Sequence, residues 1–482
     1  MSSKNNIKKN ILLNTAYQIL TIITPFITSP YLARVLGAEK IGINSYAHSI
    51  VTYFTMFAAL GTYSYGVREI SRTRDNKELN TKIFWEIELL TVFTTTIMIL
   101  GWILYLCFVN ENKILYIILT LNLFSTLFNI NWFYVGNEQF KYTVTRNTVV
   151  KITAIVLILT LVKSPDDLWL FVTINSAAGL LGNISMWLGL KKFLVKIPLK
   201  SINIWPHFKE TLVYFIPTIA TSIYHVLDKT LIGVITKDSF QNGYYEEANK
   251  IVNLIKSLSF TSVTAVLGAR NSYLYHEQKY DEIKTKINKA LDVILFMTIG
   301  ACFGLIGVAK NFIPFFLGDK FGPTILLLQL LSPTLIIIGI SVTMNELYYI
   351  PAGLKKVSCF FEVTGAIVNL IFNLILIPRL QSEGAVIGTL IAESVIALCY
   401  ICFSKGFITF KTLFNISWKK IIAAIIMLIT IYYINLIPVP KVYILVMQVF
   451  IGALVYVVLL LLLRDKFLIE NGKSFLKKII KH

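Results

Sequence analysis

Apolar residues occur in long runs along the whole chain, and charged residues fall mostly in the short stretches between these runs. A helix needs about 20 mostly apolar residues to cross a bilayer. Dividing the chain where charged residues or Pro/Gly clusters interrupt the runs predicts about fourteen transmembrane helices. The predicted spans are roughly 11–33, 43–65, 83–109, 114–135, 147–162, 169–190, 211–236, 245–268, 290–309, 322–350, 357–377, 384–404, 420–437 and 442–463.

The stretches between the predicted spans carry unequal numbers of Lys and Arg. Alternate stretches, beginning with the N-terminus, hold 33 of these residues, the other stretches hold 9, and three more lie within spans. Positive residues near spans favour the cytoplasmic side of the membrane. The bias therefore predicts an even number of spans, with both termini in the cytoplasm.

Composition excludes a soluble domain of any size. The chain has 482 residues, of which 56 % are apolar and 15 % charged, whereas soluble domains carry roughly 25 % charged residues. No stretch between spans is long enough to fold into a catalytic domain. The GxxxxGK[ST], HExxH and GxSxG patterns are absent from the sequence, so we predict no catalytic residue, no bound nucleotide and no metal site.

The formal net charge of +19 does not indicate a nucleic-acid-binding protein. Lys outnumbers Arg by 37 to 8, and Arg is the residue that reads bases and phosphates best. Basic residues beside membrane spans are attracted to anionic lipid headgroups. The charge therefore predicts a bilayer with anionic lipids as a partner, and no nucleic acid.

An internal repeat links the start of span 2 to the start of span 8. The segments "GINSYAHSI" and "GYYEEANKI" align Gly42, Ala47 and Ile50 with Gly243, Ala248 and Ile251. Six spans separate the two segments, and an even number gives both halves the same orientation. We therefore predict two pseudo-symmetric six-helix lobes, residues 1–203 and 204–404, followed by spans 13 and 14 and a basic cytoplasmic tail in residues 405–482.

Span 8 carries a polar stripe at helical spacing. Its members are Glu246, Asn249, Lys250, Asn253, Lys256, Ser257, Thr261 and Thr264. A charged side chain within the bilayer costs at least about 2.5 kcal/mol, so two lysines on one face predict a hydrated cavity. Glu246 lies four residues before Lys250, which is the favourable order for an ion pair. A purely structural role for this pair is the alternative.

Four further polar residues lie in or beside the first, second and seventh spans. His48 is either a core histidine held by a hydroxyl or a contact to substrate or proton. Asp228 and Lys229 are about 100° apart on a helix and need separate partners, either in the cavity or in the packing between helices. Arg34 ends span 1 and is either an outer anchor or part of the cavity.

Four segments of this sequence resemble the polysaccharide flippase family (Wzx-type) of the multidrug/oligosaccharidyl-lipid/polysaccharide exporter superfamily. The similarity runs through the whole chain in the expected order. The segments are "SPYLARVLGAEKIGINSYAHSI", "GVREISRTRDN", "NWFYVGNEQFKYTVTRNTVVK" and "LDKTLIGVITKDSFQNGYYEEANKI".

The resemblance implies a flippase for polyprenyl-pyrophosphate-linked oligosaccharide repeat units. Such a protein moves them from the inner to the outer leaflet of a bacterial cytoplasmic membrane by alternating access, for capsule, exopolysaccharide or O-antigen assembly. It also implies a coupling cation, with H⁺ and Na⁺ both open, and no other cofactor. We expect substrate contacts and ion coupling from the residues already singled out: Lys250, Lys256, Lys229, Arg34, His48, Asn249, Asn253, Ser257 and Thr261 for the substrate, and Asp228 and Glu246 for the ion.

Three other functions compete with this interpretation. An exporter of small cationic drugs from the same superfamily should have an acid-lined cavity. A membrane polysaccharide polymerase or lipid-dependent glycosyltransferase should have a large external loop with catalytic groups, and the outer loops here are short. A scaffold without transport activity would have no need of an ionic stripe inside the membrane.

Overall fold

The computed structural model describes residues 20, 21 and 23–469, except for the side chains of 140, 141, 199, 216–225, 261–270 and 272. Regular structure in this part of the chain is helical, without strands. In chain order the helices are α1 (23–35), α2 (Gly37–Ala59), α3 (Thr62–Thr73), α4 (Lys77–Phe108), α5 (Lys113–Leu127), α6 (Asn131–Gly136), α7 (Phe140–Leu161), α8 (Leu168–Leu190), α9 (Trp205–Thr236), α10 (Ser239–His276), α11 (Tyr280–Phe316), α12 (Gly322–Leu331), α13 (Thr334–Met344), α14 (Lys355–Cys402), α15 (Phe410–Ile434) and α16 (Lys441–Leu462).

The helices follow the predicted spans in order, and the all-α polytopic fold is confirmed. Predicted span 10 is formed by α12 and α13, which are bent by 44°. Predicted spans 11 and 12 are the two halves of α14, which breaks at Gln381 (φ 49°, ψ −130°) three residues after Pro378. Proline removes a helical hydrogen bond, and a positive φ cannot continue a right-handed helix.

The number of membrane crossings remains a prediction. Among the described residues, eight helices are long and apolar enough to cross a membrane, or nine if the bent pair is counted as one span. α9 and α10 contain stretches outside that description and are not in this number. The chain is thus a multi-pass membrane protein, while the count of fourteen and the cytoplasmic placement of the termini stay as expectations.

The chain divides into two compact units. The first comprises the described residues of Met1–Gly233 together with Asp238–Gly243, and the second comprises those of Val234–Lys237 and Tyr244–His482. Most of α9 therefore packs within the first unit, although the predicted division places it in the second lobe. The predicted lobes are transport units, and their boundaries stay a prediction.

In the first unit, α3 and α6 pack closely because each presents a glycine. A Cβ on Gly66 would lie 2.5 Å from Cε3 of Trp132, and one on Gly136 would lie 2.7 Å from Cγ2 of Ile70. Trp132 stacks in turn on Phe84 of α4, with ring centroids 5.6 Å apart. These contacts bring together the second and third of the four family-like segments.

The core of the second unit packs α11, α13, α14, α15 and α16 together and contains one buried charge cluster. Lys420 Nζ lies 2.5 Å from Asp292 Oδ1 and 2.9 Å from Asp465 Oδ2. The predicted span 13 begins at Lys420, whereas α15 begins ten residues earlier, at Phe410, and encloses Lys420 between α11 and the end of α16.

Candidate functional site

The first and fourth family-like segments also meet, at a crossing of α2 with the start of α10 inside the first unit. A Cβ on Gly42 would lie 1.7 Å from the carbonyl oxygen of Ser239 and 2.8 Å from the backbone nitrogen of Gly243. A Cβ on Gly243 would lie 2.0 Å from the carbonyl oxygen of Ala38. The two glycines that aligned in the repeat are therefore packed backbone against backbone.

α2 packs on α9 through small and hydroxyl side chains. The Tyr46 ring fills the space over Gly233, where a Cβ would lie 2.2 Å from Cδ2. The Thr230 hydroxyl donates to Ser49 Oγ at 3.0 Å and lies 3.1 Å from the Tyr53 hydroxyl. This packing fixes the stretch of α9 that carries Asp228 and Lys229.

The predicted site residues of the first unit lie on three helices. Asp228 is buried, with 4 % of its surface exposed, and acts electrostatically on the Tyr53 phenol, while Lys229 is half-buried. His48 of α2 is exposed, and the Thr52 hydroxyl lies 3.3 Å from its Nδ1. A hydroxyl therefore contacts this histidine, as one of the two interpretations expected, but the residue is not in the core.

Arg34 is exposed near the end of α1. Its Nη1 donates to the carbonyl oxygen of Pro30 at 2.9 Å, so the guanidinium turns back along its own helix. This contact suits an anchor at the helix end, and it leaves the substrate role of Arg34 as a prediction.

The polar stripe of α10 is a continuous, partly exposed strip in the second unit as far as residue 257; the Thr261 and Thr264 side chains lie outside the described residues. Asn253 Nδ2 donates to Asn249 Oδ1 at 3.2 Å, and the Ser257 hydroxyl donates to the Asn253 carbonyl at 2.9 Å. Lys256 is half-buried beside them. Hydrogen bonds one turn apart hold these side chains along one face of the helix.

Lys250 lies between two carboxylates. Its Nζ is 3.7 Å from Glu246 Oε1, the predicted partner, and 2.7 Å from Glu247 Oε1. Glu247 is almost fully buried, with 1 % of its side chain exposed against 15 % for Glu246. Glu247 was not predicted as a partner, although its spacing of three residues from Lys250 is also an ion-pair spacing.

An apolar groove of about 350 Å³ lies in the same unit, on another face of α10. Glycine and alanine residues of α11 and α16 open it, and a single side-chain amide, that of Gln448, contributes polar atoms besides the Tyr456 hydroxyl. The groove is lined by Ile255, Phe296, Met297, Gly300, Ala301, Gly304, Leu305, Val308, Met427, Ile431, Gln448, Val449, Gly452, Ala453 and Tyr456.

A second polar network, which the sequence analysis also missed, ties the start of α9 to α3 and α4. The Tyr65 hydroxyl lies 2.7 Å from His207 Nδ1, and His207 Nε2 lies 2.9 Å from Glu86 Oε2. Arg68 hydrogen-bonds to Tyr214 and pairs with Glu69 at 2.7 Å. Arg68 belongs to the family-like segment "GVREISRTRDN", which was the available signal.

Three acids of the second unit lie near one another. The Glu362 carboxyl lies near the Tyr400 hydroxyl and close enough to Glu393 and Glu346 for like charges to repel one another. Within the described part of the chain, no group of three or more His, Cys, Asp or Glu side chains is arranged to hold a metal ion.

The fold is that of multi-pass membrane transporters. The chain superposes on the lipid II flippase MurJ, in an inward closed conformation, with a TM-score of 0.75, 20 % identity, and coverage of 94 % of this chain and 99 % of that one. An inward-facing multidrug resistance MATE family transporter of the MOP superfamily gives a TM-score of 0.61 at 13 % identity, covering 82 % and 94 %. At these identities the likeness defines the fold.

The family is defined by sequence. Residues 7–267, more than half of the chain, match the model of the polysaccharide biosynthesis protein family, and the chain belongs to that family. It is 27 % identical over 398 residues to a Shigella dysenteriae protein named as an O-antigen transporter, covering 81 % of this chain and 98 % of that one.

A protein of the same name from Escherichia coli (strain K12) is 22 % identical over 425 residues, covering 84 % and 98 %. The resemblance to Wzx-type flippases is thereby confirmed, and the protein is a transporter, not an enzyme.

Proposed function

We propose that this protein moves polyprenyl-pyrophosphate-linked oligosaccharides from the inner to the outer leaflet of a bacterial cytoplasmic membrane. Such a substrate joins an anionic, hydroxyl-rich headgroup to a long apolar chain. The observation that carries the proposal is that α10 presents a polar surface and an apolar surface, which suit the headgroup and the apolar chain. Lys256 and Asn253 lie in its polar stripe, while Ile255 forms one wall of the groove.

The stripe supplies the groups that the headgroup requires. Lysine side chains in a low-dielectric setting offset the charge of the pyrophosphate, and the amides and hydroxyls hydrogen-bond the sugars. We assign these contacts to Lys250, Lys256, Asn249, Asn253, Ser257 and Thr261. The groove accommodates isoprene units, because its lining is almost entirely hydrocarbon. Roles for Arg34, His48 and Lys229 in the first unit stay predictions.

A cation gradient drives the cycle in this proposal. Asp228 or Glu246 exchanges a bound H⁺ or Na⁺ for pairing with a lysine, which biases one state of the transporter over the other. The test is the double variant Asp228→Asn/Glu246→Gln in an ion-gradient transport assay. Unchanged transport with unchanged gradient dependence would refute the roles of both acids.

The cluster formed by Glu246, Glu247 and Lys250 favours a second candidate function, the export of small cations. Glu246, Glu247 and Lys250 together carry a formal charge of −1, and an acid-lined site attracts cations. The test below distinguishes the two functions.

The experiment is complementation in a strain lacking the gene and any redundant flippase. Lipid-linked oligosaccharides and surface polysaccharide are measured with wild type, Lys250→Ala/Lys256→Ala, or Lys405→Ala/Lys411→Ala as a control pair of exposed lysines. We expect precursor accumulation and loss of polymer in the deletion strain, rescued by wild type and by the control pair only.

Each other outcome is informative. Rescue by Lys250→Ala/Lys256→Ala, at equal protein level, would refute the lysine site and keep the flippase. Normal polymer without accumulation in the deletion strain would refute the flippase and favour the cation exporter.

A further inference from the structure

Glu88 is a buried acid in the first unit that the proposed transport site does not include. It lies on α4, inside predicted span 3, with 2 % of its surface exposed. Among the residues that the structure describes, neither carboxyl oxygen has a hydrogen-bond partner. Thr91 and Thr95, one and two turns further along the same face, are buried as well, and the Thr95 hydroxyl likewise has no described partner.

The described charged and titratable groups on the neighbouring helices form no hydrogen bond and no ion pair with the Glu88 carboxyl. None of the ion pairs among the described residues includes Glu88. Helices α2, α3, α5, α6, α8 and the start of α9 pack on α4. Their ionisable groups, with those of α4 itself, are Glu39, Lys40, Tyr46, His48, Tyr53, Tyr63, Tyr65, Arg68, Glu69, Arg72, Lys113, Tyr116, Tyr134, His207, Lys209, Glu210, Tyr214, Lys77, Glu78, Lys82, Glu86, Tyr105 and Cys107.

Glu86, two residues earlier on the same helix, is a carboxylate stabilised by hydrogen-bond partners. It accepts a hydrogen bond from the Asn203 backbone at 2.9 Å and pairs with His207 at 2.9 Å. Glu88 points to a different side of α4 and has neither kind of partner among the described residues. A lone carboxylate in a low-dielectric interior is strongly disfavoured, even with a bound water, whereas the protonated acid is tolerated.

We propose that Glu88 is a proton-binding site in the first unit. In this conformation the carboxyl holds its proton. When the surroundings open to water, the O–H bond breaks, the proton passes to water, and the bonding electrons stay on the carboxylate. An ionisable residue inside a membrane span is expected to serve function rather than stability. The step that links this proton to transport rests on the proposed function.

The direct test measures protonation without transport. The full-length protein, reconstituted in lipid, is examined by infrared spectroscopy at neutral pH for the C=O stretch of protonated carboxyls. We expect Glu88→Gln to lose the intensity of one carboxyl, while Glu88→Asp keeps it. Glu78→Gln, at an exposed position of the same helix, should keep it too. No loss of intensity in correctly folded Glu88→Gln would overturn the proposal.

Transport then tests the coupling. With wild type active in proteoliposomes, we expect Glu88→Gln to bind substrate normally but to lose its response to an imposed pH gradient, and Glu78→Gln to behave as wild type. An unchanged response in Glu88→Gln would overturn the link between Glu88 and transport. Inactive wild type would instead refute the proposed function, and the infrared result would still decide whether Glu88 binds a proton.

Discussion

Gly42 and Gly243, which align in the sequence repeat, contact each other in the structure: a Cβ added to Gly42 would lie 2.8 Å from the backbone nitrogen of Gly243. Neither helix could approach so closely with a larger residue at this point, because the space is occupied by backbone.

We expect Gly42→Ala to destabilise this conformation by about 1–3 kcal/mol, the usual cost of overpacking, because the new methyl group overlaps the Ser239 carbonyl. The melting temperature of purified protein measures the effect. Gly322→Ala is the control, since a Cβ there meets nothing within 4 Å. Equal melting temperatures for the two variants would contradict the crossing.

The second prediction concerns the partner of Lys250. Because Glu247 is nearer and more buried than Glu246, the coupling energy of Lys250 with Glu247 should be the larger, within the range of about 0.5–3 kcal/mol for residues in contact. Double-mutant cycles of Lys250→Met with Glu247→Gln and with Glu246→Gln measure both energies. A larger coupling to Glu246 would restore the pair predicted from sequence.

The third prediction concerns Lys420. Replacing it by Met should cost about 3–5 kcal/mol of stability, because Asp465 is then left buried without its cation. Lys419→Met is the matched control: Lys419 donates only to the exposed Arg464 carbonyl, at 3.0 Å. Thermal unfolding measures the stability that each variant loses relative to wild type. Similar losses of stability in the two variants would show that the charge cluster contributes little to the stability of the fold.

The fourth prediction concerns Glu86. Glu86→Ala leaves the Asn203 amide and the His207 ring without their acceptor, at about 1–3 kcal/mol for the buried His207 ring and less for the exposed Asn203 amide. The linker before α9 should loosen and be cleaved faster by trypsin at Lys191, Lys192, Lys196 or Lys200. Glu78→Ala should leave the cleavage rate unchanged. Equal rates for both variants would mean that other contacts hold the linker.

Sequence alone predicted the helices and their order well, because bilayer thickness imposes a length that can be counted along the chain. The polar stripe of α10 was equally accessible, since a helix places residues three and four apart on one face. Glu247 was missed because spacing allows Lys250 either glutamate, and the choice depends on which side of α10 is buried.

Partners distant in sequence were beyond this kind of reasoning. Glu86 and His207 are separated by 121 positions, and Lys420 and Asp292 by 128. A lysine at the edge of an apolar run has the same pattern whether it faces water or two aspartates. Glu88 was not singled out from the sequence, because one acidic residue scarcely lowers the mean hydropathy of a long apolar run.

The cluster around Lys420 also restricts how this protein can be recombined with its relatives. The two last helices look like a separable module in the sequence, following two repeated halves. Yet Lys420 of α15 and Asp465 beyond α16 share their charge with Asp292 of α11. A chimera that imports α15 and α16 from another transporter must therefore import a matching residue at position 292, or it will inherit an unmatched charge in its interior.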